Sequence, residues 1–213
     1  MPLFDEATTL KLKEILGGLK ARVPLAFFRR EEECPSCADT KILLEEIISL
    51  TDKVELKVYD FAAEPDEAVK YGVDKAPAIA VLLPDGKDPG VVFYGAPAGY
   101  EINSFLTALL EASGAMEPLS PELLERIRKI DKDIKIKVFV TLACPYCPAA
   151  VINAHRLAFL NGRIRVEMVE SSTFPDYIAK YDVTSVPKTV INDTVNFTGA
   201  EPLEKIVEML EKL

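Results

Sequence analysis

Apolar residues recur along this chain with two periods that alternate. Short, mostly apolar runs such as V-P-L-A-F-F-R-R (23–30) and V-E-L-K-V-Y-D (54–60) predict β-strands. Between these runs, Leu43, Leu44 and Ile47 are spaced as on one face of a helix, which predicts a helix over 35–50. The alternation is typical of an α/β protein.

The same patterns along the rest of the chain predict two similar series of elements. In the first series, helices are predicted at 5–18, 35–50, 65–71 and 99–113, and strands at 23–30, 54–60, 76–83 and 91–94. In the second series, helices are predicted at 121–131, 145–160, 174–180 and 202–213, and strands at 134–141 and 164–170, followed by a hairpin at 188–197. Asn192-Asp193 predicts the tight turn of that hairpin, and Pro121 suits the first position of its helix.

The two series are related by an internal repeat with an offset of 110 residues. The offset places one cysteine motif on the other, Cys34, Pro35 and Cys37 on Cys144, Pro145 and Cys147. In the windows 60–77 and 170–187, six of 18 positions are identical, where chance gives about one. We therefore predict a duplication, with units at 1–117 and 118–213 joined through a linker at 112–121.

Composition narrows the class of protein. The chain is 49% hydrophobic and 28% charged, as folded domains are, and its net charge of -9 argues against nucleic acid as a partner. No apolar run is long enough to span a bilayer, and the start shows no signal peptide, so we expect a cytoplasmic protein without membrane partners. Gln is absent while Glu, Lys and Arg are plentiful, a bias that suggests a thermophile.

Each unit thus has the order β-α-β-α-β-β-α, with C-x-x-C after its first strand and an X-Pro pair opening its third. This combination resembles the thioredoxin fold. Two such units with C-P-S-C and C-P-Y-C resemble the protein disulfide oxidoreductases of hyperthermophilic archaea and bacteria, and C-P-Y-C with Val186-Pro187 is individually similar to glutaredoxin. The fold class implied is α/β, with two tandem thioredoxin-fold units, each a central mixed β-sheet flanked by helices.

The position of the cysteine pairs suggests their chemistry. Cys34 and Cys144 are predicted at helix N-termini, where unpaired amides and the helix dipole favour a thiolate. Cys37 and Cys147 follow one turn later, within reach and less exposed. We therefore expect Cys34 and Cys144 to be the nucleophiles, and the second cysteine of each pair to resolve the mixed disulfide.

The resemblance also implies residues that bind the partner protein. In the thioredoxin family the X-Pro bond is cis and lies against the cysteine pair, which here implies cis bonds at Ala76-Pro77 and Val186-Pro187. The residue before each proline keeps its N–H and C=O free to pair with an extended client segment. Three residues inside the motifs complete the predicted substrate-binding set: Pro35, Pro145 and Tyr146.

One part of the thioredoxin pattern is missing from this sequence. Thioredoxin has a buried acid six residues before its first cysteine, and those positions hold Phe28 and Val138 here. The proton acceptor of the resolving cysteines therefore has to come from elsewhere in the chain, and the sequence does not identify it.

Other uses of four cysteines remain open at this stage. They equal the ligand set of one zinc site, but 106 residues separate the two pairs. Iron–sulfur binding across a dimer and purely structural disulfides are further alternatives. We favour two redox dithiols, with no metal and no organic cofactor.

Four other residues could be assigned to the predicted sites. His155 lies about two helical turns beyond Cys147, and we expect a packing role for it rather than that of a base. Packing roles are also expected for Tyr71 and Tyr181, which recur in both units. Lys188 could add positive potential near Cys144.

The predicted function is that of a thiol–disulfide oxidoreductase that oxidises, reduces or isomerises protein disulfides. Its predicted partners are client proteins with cysteines or disulfides, and by resemblance a thioredoxin-reductase-like flavoprotein or a peroxiredoxin. The alternatives are an electron carrier to a peroxidase, resembling the N-terminal region of alkyl hydroperoxide reductase flavoproteins, and a non-catalytic client-binding module. That flavoprotein family usually keeps one cysteine pair, which counts against the first alternative.

The charge distribution predicts a difference between the two sites. Residues 1–117 carry 12 basic and 21 acidic side chains, and the rest carry 13 of each. Three of these acids, Glu31, Glu32 and Glu33, directly precede Cys34. Because nearby negative charge disfavours a thiolate, we expect Cys34 to react more slowly than Cys144.

Overall fold

The computed structural model describes residues 3–32 and 34–213. Its helices are α1 (Glu6–Gly17), α2 (Pro35–Ser49), α3 (Pro65–Lys70), α4 (Ile102–Leu110), α5 (Pro121–Arg128), α6 (Cys147–Leu160), α7 (Pro175–Lys180) and α8 (Leu203–Leu210). Its strands are β1 (Val23–Arg29), β2 (Val54–Asp60), β3 (Ala78–Val81), β4 (Val91–Tyr94), β5 (Ile134–Val140), β6 (Ile164–Glu170), β7 (Lys188–Ile191) and β8 (Val195–Thr198). A 3₁₀ turn, Gly99–Glu101, precedes α4, and a π turn, Glu111–Ala115, follows it.

The predicted order of elements is confirmed, and most boundaries agree within a few residues. Pro121 opens α5, where the Ser120 side chain accepts a hydrogen bond from the Leu123 amide. Asn192 and Asp193 form the hairpin turn with φ angles of 48° and 58°. The linker is shorter than predicted because the π turn continues the helix through its first residues. The division into units at 1–117 and 118–213 stays a prediction.

The eight strands form one continuous sheet, which the sequence did not predict. Its order is β2-β1-β3-β4-β6-β5-β7-β8, so each unit contributes four adjacent strands in the same relative order. The units join where β4 pairs in parallel with β6, from Val91 opposite Val166 to Tyr94 opposite Val169. We call this junction the seam.

The strand directions place both cysteine motifs at one edge of the sheet. β1 runs antiparallel to β3, β3 antiparallel to β4, and β4 parallel to β6 and β5, so β1 and β5 point the same way. Each cysteine motif follows the carboxyl end of one of these two strands. Four strand spacings separate β1 from β5, which places the motifs about 19 Å apart along the sheet.

A hydrophobic cluster covers each face of the sheet. The larger one packs α1, α2, α4, α6 and α8 on one face and includes Cys147. The smaller one lies under α3 and α7 on the other face. There Tyr71 packs beside Phe28, and Tyr181 beside Phe139, with ring centroids 5.9 and 5.2 Å apart. The packing roles predicted for the two repeated tyrosines are confirmed.

On the first face of the seam, α6 is buried where its repeat partner α2 is not. A stripe of α6 is buried, at Pro148, Val151, His155 and Ala158, whereas the repeat-equivalent stripe of α2 is exposed or half-buried, at Ala38, Lys41, Glu45 and Ile48. His155 stacks edge-on against Phe93 of β4 with ring centroids 4.7 Å apart. The packing role expected for this histidine is therefore confirmed, and it serves contact between the units.

The opposite face of the seam is polar. The Tyr177 hydroxyl donates to an Asp74 carboxylate oxygen at 2.7 Å, and Lys75 pairs with Asp176 at 2.5 Å. Lys137 and Glu167 form a buried ion pair beneath these contacts. Polar contacts across a seam have directional requirements, so they fix the relative orientation of the units more tightly than apolar packing alone.

Candidate active site

Both cysteine pairs are closed as disulfides. Cys34 is bonded to Cys37 and Cys144 to Cys147, with Cα atoms 5.3 and 5.5 Å apart. The first cysteine of each pair is partly exposed, whereas Cys37 is 4% and Cys147 0% exposed. An approaching sulfur can therefore reach only the first cysteine, which is the asymmetry that a nucleophile and a resolving thiol require.

The two first cysteines differ in their relation to the following helix. Cys34 is the N-cap residue of α2, as predicted. Cys144 is not, because α6 begins only at Cys147. The Cys144 amide instead donates to the Thr141 carbonyl at 3.1 Å in a turn that contains Pro145. The predicted start of this helix at 145 was therefore too early.

The X-Pro pairs lie where the resemblance implied. The bonds Ala76-Pro77 and Val186-Pro187 are both cis, as predicted. The two prolines are buried, and their carbonyls accept hydrogen bonds from Gly95 and Gly199 at 3.0 and 2.8 Å.

The residues before these prolines are the ones accessible to a partner. Val186 is partly exposed and packs against the clusters on both faces of the sheet, the larger of which contains Cys147. Within the described parts of the chain, the backbone N–H and C=O of Ala76 and Val186 form no hydrogen bond. These groups are available to an added strand, as the resemblance implied.

Around Cys34 the surface is charged. Glu31 pairs with Arg29 at 3.2 Å, and Glu32 is exposed. Arg30 lies over the Phe61 ring at 4.9 Å, and its amide donates to the Cys37 sulfur at 3.4 Å. Glu33, the third acid named above, lies outside the described residues. One of the acids is thus partly neutralised by Arg29.

Lys188 does not face the cysteines as a free charge. Its ammonium donates to the carbonyls of Tyr181 and Asp182, each at 2.8 Å, at the end of α7. The positive potential near Cys144 expected from this lysine was therefore wrong, because the orphan carbonyls at a helix C-terminus hold the ammonium.

A segment of the N-terminal unit crosses the seam to the C-terminal site. After β4 the chain passes the end of β6, where a Cβ added at Gly95 would lie 2.7 Å from the Glu170 side chain. It then reaches the loop before Cys144, where a Cβ on Gly99 would lie 2.3 Å from the Leu142 carbonyl oxygen. Both glycines have positive φ, and only glycine allows so close an approach there.

Glu101, at the end of this segment, is fully buried beside the C-terminal dithiol. The Tyr100 amide donates to the Leu142 carbonyl at 3.0 Å, and farther along the two helices Arg156 of α6 pairs with Glu111. These two contacts show that α4 and α6 run in parallel, with Glu101 level with the first turn of α6, which begins at Cys147. A fully buried carboxyl at this level is where a proton acceptor for Cys147 is needed.

The surroundings of Glu101 suit a proton acceptor. Burial, only partly offset by a hydrogen bond from Ser104, raises the pKa of the Glu101 carboxyl from 4.5 to about 7. One carboxylate oxygen accepts from the Ser104 hydroxyl at 2.5 Å, and the other has no hydrogen-bonding partner among the described residues. A group that titrates near neutral pH can both take and return a proton.

Sequence comparison with thioredoxin did not find this acid for two reasons. Glu101 belongs to the other unit, so no spacing within one unit reveals it. In addition, β1 and β5 correspond with an offset of 111, since Val23 pairs with Val54 and Ile134 with Ile164. Phe28 and Val138 therefore face opposite sides of the sheet and are not equivalent. The usable signal was the length of the segment before α4, which exceeds its counterpart before α8.

The distance between the pairs decides the question of a shared metal. At about 19 Å apart along the sheet, the four sulfurs cannot surround one zinc ion, whose bonds to sulfur are about 2.3 Å. The described residues also contain no cluster of three or more His, Cys, Asp or Glu side chains arranged for a metal. In the same residues, no helix has the length and apolar character needed to cross a membrane.

The fold and the two sites together define a class: a tandem thioredoxin-fold protein with a C-P-x-C disulfide in each unit. A Thioredoxin domain family matches residues 134–212. The solved structure of the alkyl hydroperoxide reductase AhpF from Enterococcus faecalis, as a C503A mutant, is 30% identical, with a TM-score of 0.92, and the match covers 97% of this chain and 99% of that one. A protein disulfide oxidoreductase from Aeropyrum pernix is 28% identical with a TM-score of 0.90, covering 97% and 92%.

The chain therefore belongs to the family of tandem thioredoxin-fold oxidoreductases that includes these two proteins. The corresponding alkyl hydroperoxide reductase protein of Escherichia coli is 29% identical over 209 residues, which is 98% of this chain but 38% of that protein. The chain thus spans about a third of the length of the curated relatives it matches.

Proposed function

We propose that the protein is a thiol–disulfide oxidoreductase that exchanges disulfides with cysteines of client proteins at two separate dithiol sites. The observation that carries this proposal is the repeated geometry: a partly exposed first cysteine, a buried second one, and an X-Pro pair with a free backbone beside them. Thiol–disulfide exchange needs an accessible thiolate and a resolving thiol, and each site offers both.

In the reducing direction, the Cys144 thiolate attacks one sulfur of a client disulfide and releases the other as a thiolate that takes a proton from water. Cys147 then gives its proton to the Glu101 carboxylate. The resulting thiolate attacks the Cys144 sulfur, which frees the second client thiol and closes the disulfide. Two electrons pass to the client, and the oxidising direction is the reverse.

In the N-terminal site we assign the same roles to Cys34 and Cys37. The client segment would lie along Ala76-Pro77 there, and along Val186-Pro187 in the other site, as an added strand. Pro35, Pro145 and Tyr146 are exposed beside the reacting sulfurs and complete the proposed client surface. Neither exchange step requires a metal or an organic cofactor.

The test is turnover in variants that retain one site each. Cys34→Ser/Cys37→Ser and Cys144→Ser/Cys147→Ser are assayed for insulin reduction and for isomerisation of scrambled ribonuclease. Both single-site proteins should turn over, and the variant lacking all four cysteines should not. A cysteine-free variant that still binds clients, with no turnover in the wild-type protein, would favour the non-catalytic binding module.

A second candidate is electron transfer between a thioredoxin-reductase-like flavoprotein and a peroxidase. It is favoured by the similarity to alkyl hydroperoxide reductase AhpF over nearly the whole chain. The measurement is peroxide consumption by a peroxiredoxin with this protein as its reductant. Rates far above those with insulin would favour this role, whereas comparable or lower rates favour the general oxidoreductase. A cytoplasmic location remains part of the proposal.

A further inference from the structure

The segment that carries Glu101 inward also holds a tyrosine at the surface beside Cys144. Tyr100 is 48% exposed, and Tyr146, inside the cysteine motif itself, is 72% exposed. Both rank among the few large apolar or aromatic side chains that the described structure leaves exposed. Neither takes part in a ring contact or a side-chain hydrogen bond with another described residue.

The backbone of Tyr100 is fixed, although its side chain is free. Its amide donates to the Leu142 carbonyl at 3.0 Å, and its own carbonyl accepts from the Asn103 side chain at 3.0 Å. Gly99 packs tightly against the same loop. An exposed aromatic ring on an anchored backbone is preorganised for binding, because little freedom of the backbone remains to be lost.

Tyr100 lies within reach of a client bound at Cys144. Leu142, its hydrogen-bonded neighbour, is two residues before Cys144, so their Cα atoms are at most about 7.6 Å apart. The Tyr100 backbone is then on the order of 10 Å from Cys144, a distance that about three residues of an extended client segment span. The ring can therefore contact client residues two or three positions from the reacting cysteine.

The surface around this site is also uncharged. The loop before Cys144 holds Thr141, Leu142 and Ala143, where the N-terminal site has its run of glutamates. The N-terminal site has no counterpart of Tyr100, because β2 is an edge strand of the sheet and no preceding strand sends a described segment across it. The duplication thus supplies an internal comparison between an apolar site and a charged one.

From this arrangement we propose that Tyr100 is a specificity-determining residue of the C-terminal site. Together with Tyr146 it forms an aromatic surface across the seam that selects client segments with an apolar or aromatic residue within three positions of the reacting cysteine. The proposal rests on the disulfide exchange proposed above and adds the chemistry of the preferred partner. The N-terminal site does not share this preference.

The experiment uses two peptide disulfides and the protein that retains only the C-terminal site, Cys34→Ser/Cys37→Ser. Each peptide is a homodimer of a short chain with one cysteine. One has Phe at the second and third positions before the cysteine, and the other has Ser there. The reduced protein is mixed with each peptide, the reaction is quenched with acid, and the released peptide thiol is quantified by chromatography.

We expect the Phe peptide to be reduced faster, and Tyr100→Ala to lower the ratio of the two rates by about threefold to tenfold, as expected for loss of one aromatic contact. Tyr100→Phe should keep the ratio. Reduction of hydroxyethyl disulfide, too small to reach Tyr100, should stay unchanged in both variants, which shows that the dithiol itself is intact. In the protein that retains only the N-terminal site, Tyr100→Ala should leave the peptide ratio unchanged.

The outcomes separate this inference from the function on which it rests. Reduction of both peptides at equal rates, or an unchanged ratio in Tyr100→Ala, would overturn the role of Tyr100 and leave disulfide exchange standing. Reduction of neither peptide, nor of insulin, would overturn the exchange activity and this inference with it.

Discussion

Replacing Glu101 with glutamine tests whether the N-terminal unit supplies the acid of the C-terminal site. Glutamine has nearly the same shape and can still accept the hydrogen bond from Ser104, but it cannot bind or release a proton. Burial raises the pKa of the Glu101 carboxyl from 4.5 to about 7. The native state therefore keeps a proton that the unfolded state releases between these two values.

The sign and size of the stability effect follow from this proton. Below pH 4.5 both states hold the proton, and the stabilisation that it brings is fully present. As the pH rises to about 7, the protein loses about 1.4 kcal/mol per pH unit, on the order of 3 kcal/mol in all. The glutamine variant does not lose it. It should therefore be more stable than the wild-type protein at pH 9 by up to about 3 kcal/mol.

The same variant should be the slower catalyst. Without a proton acceptor, Cys147 resolves the mixed disulfide more slowly, and general-base catalysis contributes about a hundredfold or more in rate where it operates. Because water can replace the base in part, we expect a loss of at least about tenfold at pH 7. The variant gains stability and loses activity, a combination that simple structural damage does not produce.

The assay combines urea unfolding at pH 5 and pH 9 with single-turnover release of the client thiol. It is run in the Cys34→Ser/Cys37→Ser background, and the Cys144→Ser/Cys147→Ser background provides the matched control. Glu101→Gln should leave exchange at the N-terminal site unchanged. A glutamine variant with wild-type rates at the C-terminal site, or with the same difference in stability at both pH values, would refute this reasoning.

Three other predictions concern the seam and the relative reactivity of the sites. Burial lowers the pKa of His155 to about 3, so stability should fall as the pH drops from 6.5 towards 3, by about 1.4 kcal/mol per unit, and His155→Leu should flatten this slope in urea unfolding; an equally steep slope in the variant would contradict the assignment. Arg156→Ala leaves the Glu111 carboxylate buried without its partner and should destabilise the protein by about 3 kcal/mol in the same assay, whereas a loss below about 1 kcal/mol would show that the pair is not desolvated. Alkylation of the reduced protein at pH 7 should modify Cys144 faster than Cys34, and the reverse order would refute the electrostatic argument.

The sequence predicted the elements and the repeat because these depend on local periodicity. It did not predict the continuous sheet, since pairing of β4 with β6 is a contact between elements of different units. A signal was nevertheless present. V-V-F-Y in β4 is apolar at every position, as in strands buried on both faces, whereas its counterpart V-N-F-T in β8 alternates, as in an edge strand.

The candidate site was predictable to a similar degree. The cysteines and prolines follow from motifs within one unit, and the structure places them together as expected. Glu101 and Tyr100 reach the C-terminal site only through the crossing segment, whose course depends on the seam. Comparing the two copies of the repeat position by position, as with His155 in α6 and Glu45 in α2, would have marked the surface where the units meet.

The central claim is that Cys34 and Cys144 each attack client sulfurs and that their partners resolve the product. Trapping tests it most directly. In the variant Cys37→Ser/Cys147→Ser, mixing with an oxidised client should accumulate stable mixed disulfides, and peptide mapping by mass spectrometry should locate them at Cys34 and Cys144. Failure of the client to become attached at either cysteine, or full turnover by this variant, would contradict the account.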